Sequence, residues 1–239
     1  MAINNKNNLI VLDFDNTIQS ESDGDEQLSV RLEELTSFGT LILATGRSFE
    51  NFATNFDWES ISNFFLGAAF SNGGEIFFSD INFERSYFNL KDIRILKENI
   101  NFKEIKSTIQ VDFDDILRFE MLPEDSMNEW SKVNKIKIIT DELTSETQKL
   151  YTLANALRMN MVFDPIGNVQ IYPQFVSKAI AIQNIVGGKV FDKIYFYGDG
   201  YNDLSVLSIP KIKYFQTKDR KEETFNFLVS KLKEQEGMY

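Results

Sequence analysis

The chain has 239 residues, 43% of them hydrophobic, and carries 25 Lys and Arg against 36 Asp and Glu for a net charge of −11. That is enough apolar surface for a core without metal or disulfide staples, and the negative charge opposes attraction to nucleic-acid backbones and anionic membranes. There is neither Cys nor His, which excludes thiolate nucleophiles, Cys- or His-ligated zinc and Ser–His–Asp triads, so any catalysis falls to carboxylates, hydroxyls, Lys or Tyr.

The chain opens in mostly polar residues and has only Leu9–Leu12 before Asp13, too short for a signal h-region. The longest near-apolar run, Phe64–Phe70, is about a third of a bilayer span. A cytoplasmic protein with no membrane or nucleic-acid partner is expected, monomeric or at most a weak homodimer. Leu9–Leu12 reads as a strand buried on both faces. Leu28, Leu32 and Leu35 then recur at helical spacing, with Asp23 or Asp25 as a candidate cap and Gly39 where a C-cap glycine belongs. Thr40–Ala44 is a second strand, Phe49–Phe56 a helix and Phe65–Phe70 a third strand. This β-α-β-α-β opening predicts a doubly wound parallel sheet.

At Ser71-Asn72-Gly73-Gly74 the rhythm changes. A hairpin (Glu75–Ser79, Phe83–Phe88) is followed by a helix (Leu90–Ile100), strands Ile109–Phe113 and Ile116–Leu122, and a helix near Glu124–Ser131. A strand at Lys135–Thr140, a helix over Ser145–Met159 and a second hairpin (Met161–Asp164, Asn168–Tyr172) complete the stretch. This order predicts an inserted α+β domain over 75–172, with an antiparallel sheet and helices on one side. The doubly wound pattern then resumes with a helix (Phe175–Val186), a strand (Val190–Tyr197), a short helix from Tyr201, a strand (Lys211–Phe215) and a last helix (Lys221–Lys233). The expected fold class is therefore α/β, with residues 1–74 and 173–239 forming one core around the insert.

Four segments carry candidate chemistry. Asp13-Phe14-Asp15-Asn16-Thr17 closes the first strand, where ligands bind in open α/β sheets. Alternate spacing sends Asp13 and Asp15 the same way, so one carboxylate is placed to attack an electrophile and the other to move protons. No Gly stands at the sixth position of this stretch, which excludes an EF-hand loop. Thr45-Gly46-Arg47-Ser48 joins a hydroxyl, a glycine and free N–H groups at a helix start, a set that suits phosphate. Lys178 lies near the start of a helix, against the helix dipole, a placement that asks for an anionic partner. Gly198-Asp199-Gly200-Tyr201-Asn202-Asp203 is no dinucleotide fingerprint, because acids stand where pyrophosphate would sit; two carboxylates and an amide suit a hard cation instead. Taken singly, each also reads as an ordinary turn, cap or solvated surface. Jointly they follow strands of one sheet, and Asp13, Asp15, Asp199 and Asp203 crowded at one edge would repel a phosphate unless a divalent cation and Lys178 offset them.

At these residues the sequence resembles the haloacid dehalogenase (HAD) superfamily of aspartyl-phosphate phosphatases: Asp13–Thr17 as DxDxT, Thr45 as the lone Thr, Lys178 as the Lys and Gly198–Asp203 as GDxxND. The insert is similar to a C2 cap, as in Cof-like hydrolases. Asp-x-Asp-Asn-Thr with Ala44–Ser48 looks most like the sucrose-phosphatase branch, and Ser71–Gly74 like the Cof-type element before the cap. Asn16 stands where many relatives have Gly, and Gly74 where Cof-type members often have Ala. The resemblance implies a HAD-like Rossmannoid core and a Mg²⁺-dependent phosphatase for a small phosphorylated metabolite. Asp13 would be the nucleophile and Asp15 the acid and base, with Thr45, Gly46, Arg47, Lys178 and Asn202 binding the phosphoryl group or substrate. Mg²⁺ would be held by Asp13, the backbone carbonyl of Asp15, and Asp199, supported by Asp203. It also implies a cap that opens and closes about Asn72–Glu75 and Tyr172–Pro173, with Arg118 and Lys135 as conceivable contacts to substrate. Two other readings stay open: a phosphomutase of the phosphomannomutase type, and a non-enzymatic phospho-acceptor of the receiver kind, against which the insert argues.

Overall fold

The computed structural model describes residues 7–15, 17–18, 25–78, 83–111, 115–117, 131–139, 144–163, 167–217, 224–235 and 237. Two compact units emerge: Met1–Glu84 with Lys178–Tyr239, and Arg85–Ser177.

The first unit is built on a seven-stranded sheet of β1 (Asn8–Leu12), β2 (Thr40–Ala44), β3 (Phe65–Phe70), β4 (Glu75–Phe78), β5 (Phe83–Arg85), β11 (Lys193–Gly198) and β12 (Ile212–Gln216). Its order is β12-β11-β1-β2-β3-β4-β5. Strands β12 through β3 are parallel. The chain winds from β1 toward β3 on one side and returns to β11 on the other, so β1 sits at the switch point, the usual binding crevice of such sheets. Strict alternation along β1 feeds two cores. Ile10 and Leu12 pack with α1 (Asp25–Thr36), α2 (Phe49–Asn55) and α7 (Thr224–Gln235) through Leu32, Phe52 and Leu228. Leu9 and Val11 pack instead with Ala179, Ile182 and Ile185 of α6 (Lys178–Val186). Each face buries a full helix stripe, which is why these strands read as continuous apolar runs.

The inserted unit carries the antiparallel sheet β7-β6-β8-β10-β9, formed by β6 (Ser107–Val111), β7 (Asp115–Leu117), β8 (Val133–Ile138), β9 (Asn160–Phe163) and β10 (Val169–Tyr172). One face of it (Ile109, Ile136, Ile138, Val169, Ile171) packs on Ile93 and Leu96 of α4 (Leu90–Asn99) and Leu150 and Ala154 of α5 (Ser145–Ala156). The expected helix over 124–130, the ends of strands beyond residues 111 and 117, Arg118, Asn16 and Asp23 lie outside the described residues.

Several expectations shift. The hairpin assigned to the insert belongs to the core sheet: β4 runs antiparallel to β3, pairing Gly67 with Phe78 and Phe70 with Glu75. The core therefore extends to Glu84 rather than residue 74, and resumes at Lys178 rather than 173. The helix expected from Phe175 starts at Lys178, because Phe175 adopts φ 69°, outside the helical region. Gly39 is no left-handed cap. A Cβ there would meet the Asn8 carbonyl oxygen at 2.5 Å, so the glycine permits close approach of α1's exit to β1. A short helix over Trp58–Ile61 (α3) was not anticipated. Among the described residues no helix is long and apolar enough to cross a membrane.

Candidate active site

The carboxyl ends of β1, β2 and β11, with the start of α6, assemble the predicted residues. Backbone pairing sets their level: the Asp13 amide donates to the Tyr197 carbonyl of β11 (2.8 Å) and the Thr45 amide to the Ala69 carbonyl of β3 (2.8 Å). Between the two acids of the first motif, Phe14 is fully buried and packs edge-on against Phe52 (4.6 Å) and Phe56 (4.8 Å). That apolar anchor fixes the strand's exit, with Asp13 and Asp15 on either side of it in sequence.

Lys178, 1% exposed, is the first residue of α6. Its Nζ donates to Asp13 Oδ1 (2.8 Å) and Asp203 Oδ1 (2.6 Å). The anionic partners that its position demanded are thus two carboxylates from loops 190 residues apart in sequence, and they hold the buried ammonium. Burial alone would lower the Lys178 pKa, but Asp13 and Asp203 raise it above the ordinary value, so the side chain stays charged. The Asp13 carboxyl is pushed up to about 8, chiefly by burial and further by Asp203 and Asp199, against the lowering influence of Lys178. Asp203, fully buried, also accepts from the Gly200 amide (3.0 Å), folding the loop back on itself. A Cβ at Gly198 would collide with that Asp203 carboxylate, which explains the glycine at this position.

Ligand atoms of Asp13, Asp199 and Asp203 all lie within 4.8 Å of one another. Two of these carboxylates share the ammonium and the third stands beside them, and all three offer hard oxygen donors, so the residues fit a Mg²⁺-type cation.

The second loop is clasped from the next strand. Thr45, fully buried, accepts the Arg47 amide on its Oγ1 (3.2 Å) and the Asn72 amide on its carbonyl (3.0 Å), while the Ser71 amide donates to the Arg47 carbonyl (2.6 Å). Ser71 and Asn72 both hold positive φ, 49° and 55°. Asn202 Nδ2 donates to Asn72 Oδ1 (3.3 Å), and both amide side chains lie beside Gly46. One expectation shifts: the four acids do not all crowd together. The Asp15 carboxylate does not join the acidic cluster, and Arg47 binds it through Nε (3.0 and 2.9 Å) and Nη2 (2.5 Å). The structure thus brings together Asp13, Lys178, Asp199 and Asp203, sets Gly46 near Asn202, and pairs Asp15 with Arg47.

Sequence reasoning missed Glu75. It is fully buried, and its Oε2 accepts from the Phe49 amide at the start of α2 (2.9 Å) and from Ser71 Oγ (3.0 Å). It ties the Ser71–Gly73 turn to the helix that follows Arg47. The available signal was a lone acid opening an otherwise apolar strand, Glu75-Ile76-Phe77-Phe78.

Residues 77–215 match the family model of haloacid dehalogenase-like hydrolases. The match covers more than half of the chain, and the chain belongs to that family. It takes in Lys178, Asp199, Asn202 and Asp203, while Asp13 and Thr45 lie before it. Among solved structures, the HAD subclass IIB sugar phosphatase BT4131 is similar over 97% of this chain and 100% of its own, with TM-score 0.63 and 18% identity. SMU.1108c from Streptococcus mutans UA159 matches with TM-score 0.68 and 15% identity over 93% of this chain and 98% of its own. TM0651 from Thermotoga maritima matches with TM-score 0.59 and 14% identity over 90% and 89%. At such identities the likeness is one of fold. No curated protein sequence matches the chain.

Proposed function

We propose that the protein is a Mg²⁺-dependent phosphatase that hydrolyses a small phosphorylated metabolite, a sugar phosphate, through a phosphoryl group carried on Asp13. The observation that carries the reading is the buried Lys178 ammonium bridging Asp13 and Asp203, with Asp199 within ligand distance of both. A structural ion pair needs one carboxylate; three whose ligand atoms lie within 4.8 Å of one another, at the switch point of the sheet, form a donor set for a hard cation. Asp13, Asp199 and the backbone carbonyl of Asp15 would hold the cation, with Asp203 in support, and its chemistry is to neutralise the acids and draw charge from the phosphoryl oxygens.

Lys178 holds Asp13 Oδ1 and so sets the rotation of the carboxylate that attacks. An Asp13 oxygen bonds to phosphorus as the bond to the leaving alkoxide breaks, and Asp15 gives that alkoxide its proton. Asp15 then takes a proton from a water whose oxygen attacks phosphorus, freeing inorganic phosphate and the Asp13 carboxylate. Thr45, the Gly46 backbone and Asn202 would hold the phosphoryl oxygens. The fold of BT4131 supports the sugar-phosphate class by analogy. Phosphate release from a panel of phosphorylated metabolites, with Mg²⁺ and after chelation, tests the reading. Mg²⁺-dependent release that disappears in Asp13→Asn is expected; no release from any compound, or an Asp13→Asn variant as active as its parent, would sink it.

A further inference from the structure

The geometry points to Arg47 as a positioning residue for Asp15 rather than a ligand of the phosphoryl group, an inference that rests on the phosphatase reading above. Three observations converge. Arg47 meets the Asp15 carboxylate with Nε and Nη2 through three contacts of 2.5–3.0 Å, so both carboxylate oxygens are engaged. The guanidinium carbon also lies 5.9 Å from the Phe14 ring centroid and 5.5 Å from that of Phe56, in an aromatic slot that includes the residue between the two acids. Finally the Arg47 backbone is itself anchored, its amide on Thr45 Oγ1 and its carbonyl under the Ser71 amide. A planar fork so fixed at its base and flanks gives the carboxylate it holds one orientation.

The consequence for the reaction is specific. A proton-transferring group must meet the leaving oxygen within hydrogen-bond reach, so an acid free to turn would lose rate without losing substrate affinity. Arg47 thus acts through Asp15 and touches neither phosphorus nor its oxygens.

The test compares wild type with Arg47→Lys, Arg47→Ala, Asp15→Asn and the Asp15→Asn/Arg47→Lys double variant, all checked for unchanged thermal unfolding. Two substrates are used: an alkyl phosphate, whose leaving group needs a proton, and p-nitrophenyl phosphate, whose leaving group does not. Arg47→Lys keeps the charge and loses the fork, so it remains informative even where Arg47→Ala does not fold. Turnover of the alkyl phosphate is expected to fall about a hundredfold in both Arg47 variants, with KM within about threefold. Single-turnover release of nitrophenolate keeps its rate, and Arg47→Lys costs nothing more in the Asp15→Asn background. A parallel rise of KM for both substrates and of the inhibition constant for inorganic phosphate, or a full additional loss in the double variant, would overturn the inference and leave the phosphatase reading standing. A wild type inactive on both substrates and on the metabolite panel would overturn the two together.

Discussion

Two ion clusters stand at adjacent strand ends of one sheet, and they differ in what surrounds them. Lys178 with Asp13 and Asp203 is sealed, its side chains 0%, 7% and 0% exposed, whereas those of Arg47 and Asp15 are 30% and 40% exposed. The contact distances are alike, so the surroundings decide much of the difference in consequence. In the sealed cluster each charge has given up water and depends on its partners, and removing one leaves another stranded. In the open pair water replaces whatever is removed. The sealed cluster therefore couples chemistry to stability, and the open pair couples chemistry to orientation alone.

The sharpest break of the comparison is at Asp13. Asp13→Asn keeps the shape and removes the attacking charge, and turnover should drop by at least about 10⁴-fold with KM little changed. The same variant should be no less stable than wild type, since Lys178 keeps Asp203 as its partner and a neutral amide is easier to bury than a carboxylate crowded by Asp199 and Asp203; a loss of several kcal/mol would mean that the buried ammonium depends on Asp13 rather than on Asp203. Next comes Lys178→Met, which leaves Asp13 and Asp203 buried without their cation. It should cost about 3–5 kcal/mol in denaturant unfolding, and adding Asp203→Asn should return part of that loss, because one of the stranded charges is then gone.

The pH dependence separates the clusters further. The Asp13 carboxyl ordinarily ionises near 3.8 and is raised to about 8 in the fold. Between these values the folded state binds a proton that the unfolded chain has released, so Asp13 makes metal-free stability fall as pH rises from about 4 to about 8 and level off above. Lys178, raised above its ordinary value, keeps its proton throughout that window and contributes no slope there. A cation binds the ionised form, so the rise in thermal midpoint on adding Mg²⁺ should be larger at about pH 8 than at about pH 6. Asp13→Asn should flatten both trends. A Mg²⁺ effect of the same size at both pH values, in both proteins, would place the cation away from Asp13.

How much of this was legible beforehand follows from the range of the interactions. The strands β1, β2 and β3 announce themselves because each is buried on both faces and so needs an apolar run; β11 does so from Ile194 onward, and begins at Lys193 rather than Val190. The residues that close them are legible for the complementary reason: Asp13, Thr45 and Asp199 are the polar punctuation of those runs. Even Lys178 signalled a partner, since a cation at a helix start is unfavourable without one. What could not be read is pairing across distance. Glu75–Phe78 alternates too little to say which sheet it joins, and only its hydrogen bonds to β3 place it in the core. The pairing of Arg47 with Asp15, 32 positions earlier, is likewise invisible in a Thr-Gly-Arg-Ser loop read by itself. The burial of Glu75 also depends on a turn with two positive-φ residues that are not glycine; Asn72 suits that region, but no local propensity places Ser71 there.

The smallest expected effect tests the open pair on stability. An exposed ion pair contributes about 0–1 kcal/mol, because its Coulomb gain is screened and ordering two side chains offsets most of it. Here the geometry is good, with a multidentate contact and two flanking rings, so the upper part of that range applies. Arg47→Ala should therefore lower the thermal midpoint by no more than about 2–4 °C, the shift that about 1 kcal/mol produces in a chain of this size. Raising the salt concentration should shrink the difference from wild type, since partly exposed charges are screened over a Debye length of about 10 Å at 0.1 M salt. The Lys178→Met loss, in contrast, should barely respond to salt. A salt-insensitive loss of several kcal/mol at Arg47 would mean that its guanidinium is as dependent on Asp15 as Lys178 is on Asp13, and that the site has one sealed electrostatic core rather than a sealed part and an open one.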